Sequence, residues 1–154
     1  MAYKPILCLD FDGVIHSYTS GWQGASKISD PPVPGALEFL VKALDHFDVC
    51  IFSSRSHQWG GRRAMKRWLR GWLELLAVDF ESTPPWLLRH IHAFADPWPE
   101  EVSWHVARLV DRILFPLFKP PATVGLDDRV LTFDGTWPSV QQLRQFKPWN
   151  KRRE

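Results

Sequence analysis

Short, continuous apolar runs alternate along the chain with stretches in which apolar residues recur at helical spacing. The runs at residues 6–9 and 49–52 are typical of strands buried on both faces, and both stop at polar residues. Residues 36–46 carry apolar side chains at helical spacing and follow a proline-rich segment, after which a helix can begin. Residues 14–34 are rich in Gly, Ser and Pro and predict irregular structure. The first third of the chain therefore predicts the order strand, loop, helix, strand.

The remaining two thirds continue the alternation. Residues 62–76 predict an amphipathic helix with a Trp-bearing apolar face and a basic opposite face, and residues 78–111 predict two further helices. Three shorter strands are predicted at residues 113–118, 122–126 and 130–133, and a last short helix at residues 139–146. Pro116 places the first of these strands near a sheet edge, and residues 130–133 predict an edge strand. This order predicts an α/β fold with a doubly wound, mainly parallel, Rossmann-like sheet in three α/β/α layers and a small helical insert.

Composition limits the class of protein. A chain of 154 residues is expected to form a single domain, residues 1–154, and 45% apolar with 23% charged residues is ordinary for a packed globular chain. No apolar run approaches the roughly 20 residues that span a bilayer, so we expect neither a membrane span nor a secretory signal. The two cysteines, Cys8 and Cys50, lie inside apolar runs and predict buried thiols in a reducing, cytoplasmic compartment.

The net charge is only +2, but the basic residues are unevenly distributed. They concentrate on one face of the predicted helix and in the tail: Arg62, Arg63, Lys66, Arg67 and Arg70, then Lys147, Lys151, Arg152 and Arg153. Such a stripe is more often a solvated helix face than a nucleic-acid surface. Contact with nucleic acid, with Trp59 or Trp22 as stacking platforms, is therefore an alternative that the sequence does not favour.

The residues that end the predicted strands carry the candidate chemistry. In open parallel sheets the ligand site lies beyond the carboxyl ends of the strands, so these side chains are expected to meet at one edge of the sheet. They are Asp10, Asp12, Ser53, Arg55, Asp127 and Asp128, with Lys119 just before the last strand. Four close carboxylates cannot all stay ionised without a cation, and Mg²⁺ prefers carboxylate oxygens. Lys119 and Ser53 would add a positive charge and a donor for a phosphoryl group.

These segments resemble the four ordered motifs of the haloacid dehalogenase superfamily of phosphohydrolases. The matching segments are residues 9–14 (Leu-Asp-Phe-Asp-Gly-Val), 52–55 (Phe-Ser-Ser-Arg), 119–122 (Lys-Pro-Pro-Ala) and 125–129 (Gly-Leu-Asp-Asp-Arg). The resemblance covers about residues 4–135 and is closest to small, phage-type members with a minimal cap. DxDG alone is weakly specific, whereas four motifs in the right order, each at a strand end, are strongly specific.

The resemblance implies a role for each motif residue. Asp10 would be the nucleophile that is transiently phosphorylated, and Asp12 would protonate the leaving oxygen and later take a proton from water. The metal ligands would be Asp10, the backbone carbonyl of Asp12, and Asp127 with Asp128, of which either could touch the ion directly. Ser53 and Lys119 would orient the phosphoryl oxygens.

Four further residues, Gly13, Ser54, Arg55 and Arg129, are expected at the substrate. For Arg55 and Arg129 the sequence leaves two roles equally open, binding the substrate phosphate or pairing with a nearby acid. His16 and His57 follow the first two motifs and are weaker candidates for facing the substrate.

Specificity in this superfamily comes from a cap. Residues 14–34 suffice only for its short flap, and the spare residues are the insert at about 78–111. If the third strand is residues 113–118, that insert is an embellishment, which we favour. If the third strand is instead residues 78–82, the insert becomes a small cap over the site.

The expected function is that of a Mg²⁺-dependent phosphomonoesterase with an aspartyl-phosphate intermediate, acting on a phosphorylated small molecule or nucleotide. One alternative is a nucleic-acid end phosphatase, because residues 127–129 look like a segment of the phosphatase domain of polynucleotide kinase-phosphatases. An alternative of another class is a catalytically idle module that binds phosphate.

Overall fold

A computed structural model describes residues 4–78, 80–91 and 99–152 of the chain. Three strands and five α-helices follow one another in these residues: β1 (Ile6–Leu9), α1 (Ala36–Ala43), β2 (Asp48–Ile51), α2 (Gly61–Leu76), α3 (Pro85–Ile91), α4 (Pro99–Asp111), β3 (Val124–Leu126) and α5 (Val140–Gln145). Two short 3-10 turns, Ser54–His57 and Trp149–Lys151, complete the regular structure. The predicted alternation of strands and helices is confirmed at this level.

The strands form a parallel sheet in the order β2-β1-β3. β1 is central, with Leu7 beside Val49 of β2 on one side and Val124 of β3 on the other. The chain therefore leaves β1 in one direction to build β2 and later returns to its other side. In α/β sheets a ligand site lies at such a reversal, beyond the carboxyl end of the central strand.

The helices near β1 and β2 pack on one another around a common core. α1 contacts α3 and α2 contacts α4, so the helices of the 78–111 insert lie against the first two. The predicted apolar face of α2 is confirmed, because Met65, Leu69 and Leu73 are fully buried and Trp68 and Trp72 pack beside them. Cys8 and Cys50 are buried free thiols, as expected.

Within the residues it describes, the structure does not contain three of the strands that the sequence suggested. Residues 113–118 do not form a strand; Leu114 alone makes a parallel bridge to Cys50, because Pro116 has no N–H with which to extend the pairing. Residues 130–133 are not a strand either, and no strand among the described residues pairs with them. Val78 and residues 80–82 form bends and turns and not a strand, so the alternative third strand is also wrong; the bridge of Leu114 to Cys50 lies beside β2 instead.

The fold is therefore α/β, with a three-stranded parallel sheet that is compatible with a Rossmann-like arrangement. β3 is exposed along all three of its residues. Across residues 4–78, 80–91 and 99–152, no helix has both the length and the apolar character needed to cross a membrane.

Candidate metal and phosphoryl site

Two strand ends bring three carboxylates together. Asp10 follows β1, and its backbone N–H donates to the carbonyl of Leu126 (2.9 Å), which fixes it beside the end of β3. Asp127 and Asp128 follow β3 directly. One carboxylate oxygen from each of Asp10, Asp127 and Asp128 lies within 4.8 Å of the other two. This arrangement is the one expected from the strand ends, and it offers oxygen ligands to a hard divalent cation.

Asp128 gives the clearest sign of a missing positive charge. Its side chain is fully buried, and neither carboxylate oxygen has a hydrogen-bond partner. The nearest cationic atom is Arg129 Nε, 3.7 Å from Oδ1, which is too long for a hydrogen bond. A buried ionised carboxylate without partners costs several kcal/mol, so such a group is expected to coordinate a cation or to take up a proton.

Gly13 makes room for that carboxylate. Its φ is +86°, and a Cβ atom there would lie 2.5 Å from Asp128 Oδ2, so only glycine fits. The carbonyl of Gly13 accepts a hydrogen bond from the indole N–H of Trp149 (2.8 Å). Asn150, the next residue, also lies beside Gly13, and its buried side-chain oxygen has no partner. Gly13 thus makes room for Asp128 by lacking a side chain, and its predicted contact with the substrate stays a prediction.

Burial, and to a smaller extent the neighbouring acids, change the ionisation of Asp10. Burial raises the pKa of Asp10 to about 7; a hydrogen bond from the N–H of Phe11 opposes this, and the charges of Asp127, Asp12 and Asp128 add to the rise. Burial likewise raises the pKa of Asp128, with Arg129 opposing. A bound divalent cation would favour the ionised forms of both groups. The donor set therefore fits Mg²⁺, and it consists of three of the four predicted metal-binding residues.

Asp12 is the fourth residue predicted at the metal, through its backbone carbonyl, and its side chain is not part of the acid cluster. Arg55 Nε donates to both of its carboxylate oxygens, at 2.8 and 3.1 Å, and His16 Nδ1 lies 2.8 Å from Oδ1. Burial alone would raise the pKa of Asp12, but the hydrogen bonds from His16 and Arg55 outweigh it and lower the pKa. Asp12 is thus held as a carboxylate by two side chains and not by the acid cluster.

Arg55 connects Asp12 to the predicted flap. Its side chain is fully buried, and Nη1 donates to three flap carbonyls, those of Gly24 (2.8 Å), Ala25 (3.0 Å) and Lys27 (3.2 Å). The guanidinium also stacks on the ring of Trp22, with 4.7 Å to the centroid. Of the two roles left open for Arg55, the structure shows the ion pair with an acid.

A cavity of about 230 Å³ opens above the acid cluster. Its lining contains six of the predicted site residues: Asp10, Asp12, Ser53, Ser54, Asp127 and Arg129. Ser53 is buried and begins the Ser54–His57 turn with reciprocal side-chain and backbone hydrogen bonds to Ser56. Arg129 is more than half exposed and lies over the ring of Tyr18.

Lys119 is exposed and is not among the residues that line this cavity. Within the described residues, no ion pair joins its ammonium to a carboxylate. Its charge does act on the neighbourhood of β1, because it opposes the rise that burial produces in the pKa of Cys8, a thiol that Asp10 and Asp127 also influence. The role of Lys119 at the phosphoryl group stays a prediction.

Sequence reasoning missed several residues at this site. Tyr18, at the unusual φ of +56°, and Phe52 line the cavity. His16 is a buried partner of Asp12, not a group facing the substrate, and Asp30 donates its N–H to His16 Nε2 (3.2 Å). The spacing of His16 from Asp12 could have suggested that these two side chains pair. Nothing in the sequence pattern points to Trp149 as a residue near this site.

Comparisons of the chain with protein-family models, with curated proteins and with solved structures find no match.

Proposed function

We propose that the protein is a Mg²⁺-dependent phosphomonoesterase of the haloacid dehalogenase type, working through a phosphoaspartate at Asp10. The observation that carries the proposal is Asp128, a buried carboxylate with two unpartnered oxygens, placed beside Asp10 and Asp127. A cation supplies what this group lacks. The cavity of about 230 Å³ next to the three acids is suited to a phosphoryl group, not to a whole large metabolite.

Mg²⁺ would be held by Asp10, Asp127 and Asp128, and when bound it would screen the repulsion between the attacking carboxylate and the phosphoryl oxygens. Ser53 faces the same cavity and provides a hydroxyl donor for one of those oxygens. Arg129 at the rim offers a second, cationic donor. Lys119 is proposed to contribute when its flexible side chain turns towards bound phosphate.

The chemistry has two balanced steps. An oxygen of Asp10 attacks phosphorus and forms a P–O bond, while the ester P–O bond breaks and the leaving oxygen receives a proton. Water then attacks the phosphoaspartate, its proton passes to a base, and the bond between phosphorus and Asp10 breaks to release inorganic phosphate. Asp12, which lines the cavity next to Asp10, is the proposed acid of the first step and base of the second.

The surroundings of Asp12 favour the base role in the free enzyme, because its pKa is lowered. For the first step Asp12 takes up a proton from solvent when the anionic phosphoryl group binds beside it, because a nearby negative charge raises the pKa of a carboxyl group.

The proposal extends to fold and location. We infer the doubly wound, three-layer arrangement of the superfamily, with β1 as its switch strand, and a reducing, cytoplasmic compartment, which the free buried thiols of Cys8 and Cys50 support.

The first test is Asp10→Asn, assayed with an aryl phosphate and Mg²⁺. We expect loss of turnover by about a thousandfold or more, because the nucleophile is removed while its shape is kept. Asp48→Asn is the matched control, since Asp48 is an exposed strand aspartate at the opposite end of β2. Retained turnover in Asp10→Asn would contradict the mechanism. Phosphate binding without turnover in the unaltered protein would favour the idle module instead.

A further inference from the structure

A second and much larger cavity lies on the other side of the Ser54–His57 turn. It measures about 1060 Å³ and is open to solvent. Ser53 and Ser54 line the smaller catalytic cavity, whereas Ser56 and His57, on the same turn, line this larger groove. A molecule that lies in the groove is thus adjacent to the proposed phosphoryl site.

One wall of the groove is strongly basic. Four cationic side chains from the first two turns of α2 face it, against one acid: Arg62, Arg63, Lys66 and Arg67, with Asp111. Lys66 is neutralised by Asp111 at 2.7 Å, and Arg62 reaches towards the carbonyl of Phe115 at 3.4 Å. Arg63 and Arg67 are exposed and make no ion pair within the described residues, so their charge is available to an anion.

The other parts of the groove are aromatic and apolar. Trp59 sits at its edge and is 97% exposed, which is costly for so large an apolar ring without a partner. Leu114 and Leu117 expose apolar surface on the facing wall. His57 adds a ring that stacks edge-on against Phe52 at the border of the catalytic cavity.

The combination of exposed arginines with exposed aromatic and apolar side chains favours one class of anionic partner over others. An acidic peptide or inorganic polyphosphate would use the arginines but leave Trp59 and the leucines in water. Single-stranded nucleic acid carries both a phosphate backbone for the arginines and unpaired bases for stacking on an exposed aromatic ring. The wide open groove also accommodates several linked nucleotides, which the smaller cavity cannot.

We propose that the groove binds single-stranded nucleic acid and that a terminal phosphate of the strand is the substrate of the neighbouring site. The second half of this statement rests on the proposed phosphomonoesterase function. The first half concerns binding alone, and the two parts can therefore fail separately.

The binding test is fluorescence anisotropy with a labelled single-stranded oligonucleotide that carries no terminal phosphate. We expect Arg63→Ala/Arg67→Ala to weaken binding by about tenfold or more and to reduce the slope of log K against log salt by about 1.4, as two lost phosphate contacts imply. Trp59→Ala should weaken binding by about fivefold or more through lost stacking. The matched control is Arg144→Ala/Lys147→Ala, which removes two exposed basic residues outside the groove and should change little.

The kinetic test compares a phosphorylated oligonucleotide with an aryl phosphate. Arg63→Ala/Arg67→Ala should lower kcat/KM about tenfold for the oligonucleotide and leave aryl phosphate hydrolysis unchanged, because neither arginine lines the catalytic cavity. Equal losses for both substrates, or equal losses in the control variant, would overturn the groove proposal. So would displacement of the oligonucleotide by polyglutamate at matched charge, or tighter binding of duplex than of single strand.

The outcomes separate the two proposals. Binding that depends on Arg63 and Arg67 without any phosphatase activity would leave the groove standing and remove the proposed function. Aryl phosphate hydrolysis without oligonucleotide binding would do the reverse.

Discussion

At the scale of single residues, Arg55 is the side chain on which the site's electrostatics depend most. It is 0% exposed, yet it carries a full charge, which a buried position tolerates only with close partners. Asp12 supplies the opposite charge, and flap carbonyls accept hydrogen bonds from Nη1, whereas Nη2 has no hydrogen-bond partner in the described residues. One guanidinium thus orients the proposed acid–base residue and holds residues 22–27 against it.

Replacing Arg55 should therefore affect stability and catalysis together. Arg55→Met leaves Asp12 buried without its main partner, so we expect the free energy of unfolding to fall by about 3–5 kcal/mol in urea denaturation. In the protein that remains folded, the pKa of Asp12 should rise, and the alkaline limb of the kcat/KM profile, which reports the acid of the first step, should move to higher pH. Lys42→Met is the control for stability, because the exposed Lys42–Glu38 pair is worth at most about 1 kcal/mol. An unshifted alkaline limb would argue against Asp12 as the titrating group.

At the scale of elements, the Ser54–His57 turn and the start of α2 are locked together by one glycine. A Cβ atom on Gly61 would overlap the backbone carbonyl of Arg55, and backbone cannot move aside as a flexible side chain can. This close approach fixes where α2 begins relative to Ser53 and Arg55. It therefore links the catalytic cavity to the basic groove.

Two glycines of the same helix provide a matched test of this packing. Gly61→Ala should lower the free energy of unfolding by about 1–3 kcal/mol, as overpacking does. Gly71→Ala should raise it by about 0.5–1 kcal/mol, because Gly71 is exposed within α2, has open space around it and gains helix propensity. Chemical denaturation of both variants measures these changes in the free energy of unfolding. A neutral Gly61→Ala variant would show that the turn and the helix are not tightly coupled.

The elements also show which features the sequence pattern could predict. β1 and β2 were predictable from short continuous apolar runs that stop at polar residues, and α2 was predictable from apolar residues that recur at helical spacing. Residues 130–133 misled the prediction, since they are mostly apolar but pair with no strand in the part of the chain that the structure describes. The cluster of Asp10, Asp127 and Asp128 was predictable from strand ends in a parallel sheet. The pairing of Arg55 with Asp12 was left open, because these residues lie 43 positions apart and only the folded loop brings them together.

At the scale of the whole molecule, the acid cluster joins distant parts of the chain. Asp10 ends the first strand and Asp128 follows the last, and Trp149 closes the loop by bonding to Gly13 across 136 positions. Without a cation, the charges of Asp10, Asp127 and Asp128 oppose this closure. A bound Mg²⁺ would be shared by the three carboxylates and would hold these distant parts of the chain together. Metal binding should therefore stabilise the entire fold.

Stability should consequently depend on pH in opposite ways with and without the metal. The pKa of Asp10 rises from 3.8 to about 7 on folding, so the folded protein binds the proton more tightly than the unfolded chain does. In EDTA the stabilisation is therefore complete below about pH 4 and is lost as pH rises towards 7, by a few kcal/mol. Asp128, whose pKa is also raised, acts in the same direction.

Urea denaturation across about pH 4.5 to 7.5, in EDTA and in saturating Mg²⁺, measures this effect. Mg²⁺ should abolish the fall or reverse it, because the ion binds the carboxylate forms. Asp128→Asn should be more stable than the unaltered protein in EDTA near neutral pH, since it removes an uncompensated buried charge, and should gain little from Mg²⁺. Asp48→Asn, remote from the cluster, should keep both the pH slope and the response to metal. An Asp128→Asn variant that keeps the pH slope of the unaltered chain in EDTA, or that Mg²⁺ stabilises as strongly as the unaltered chain, would show that these acids do not form one cation site.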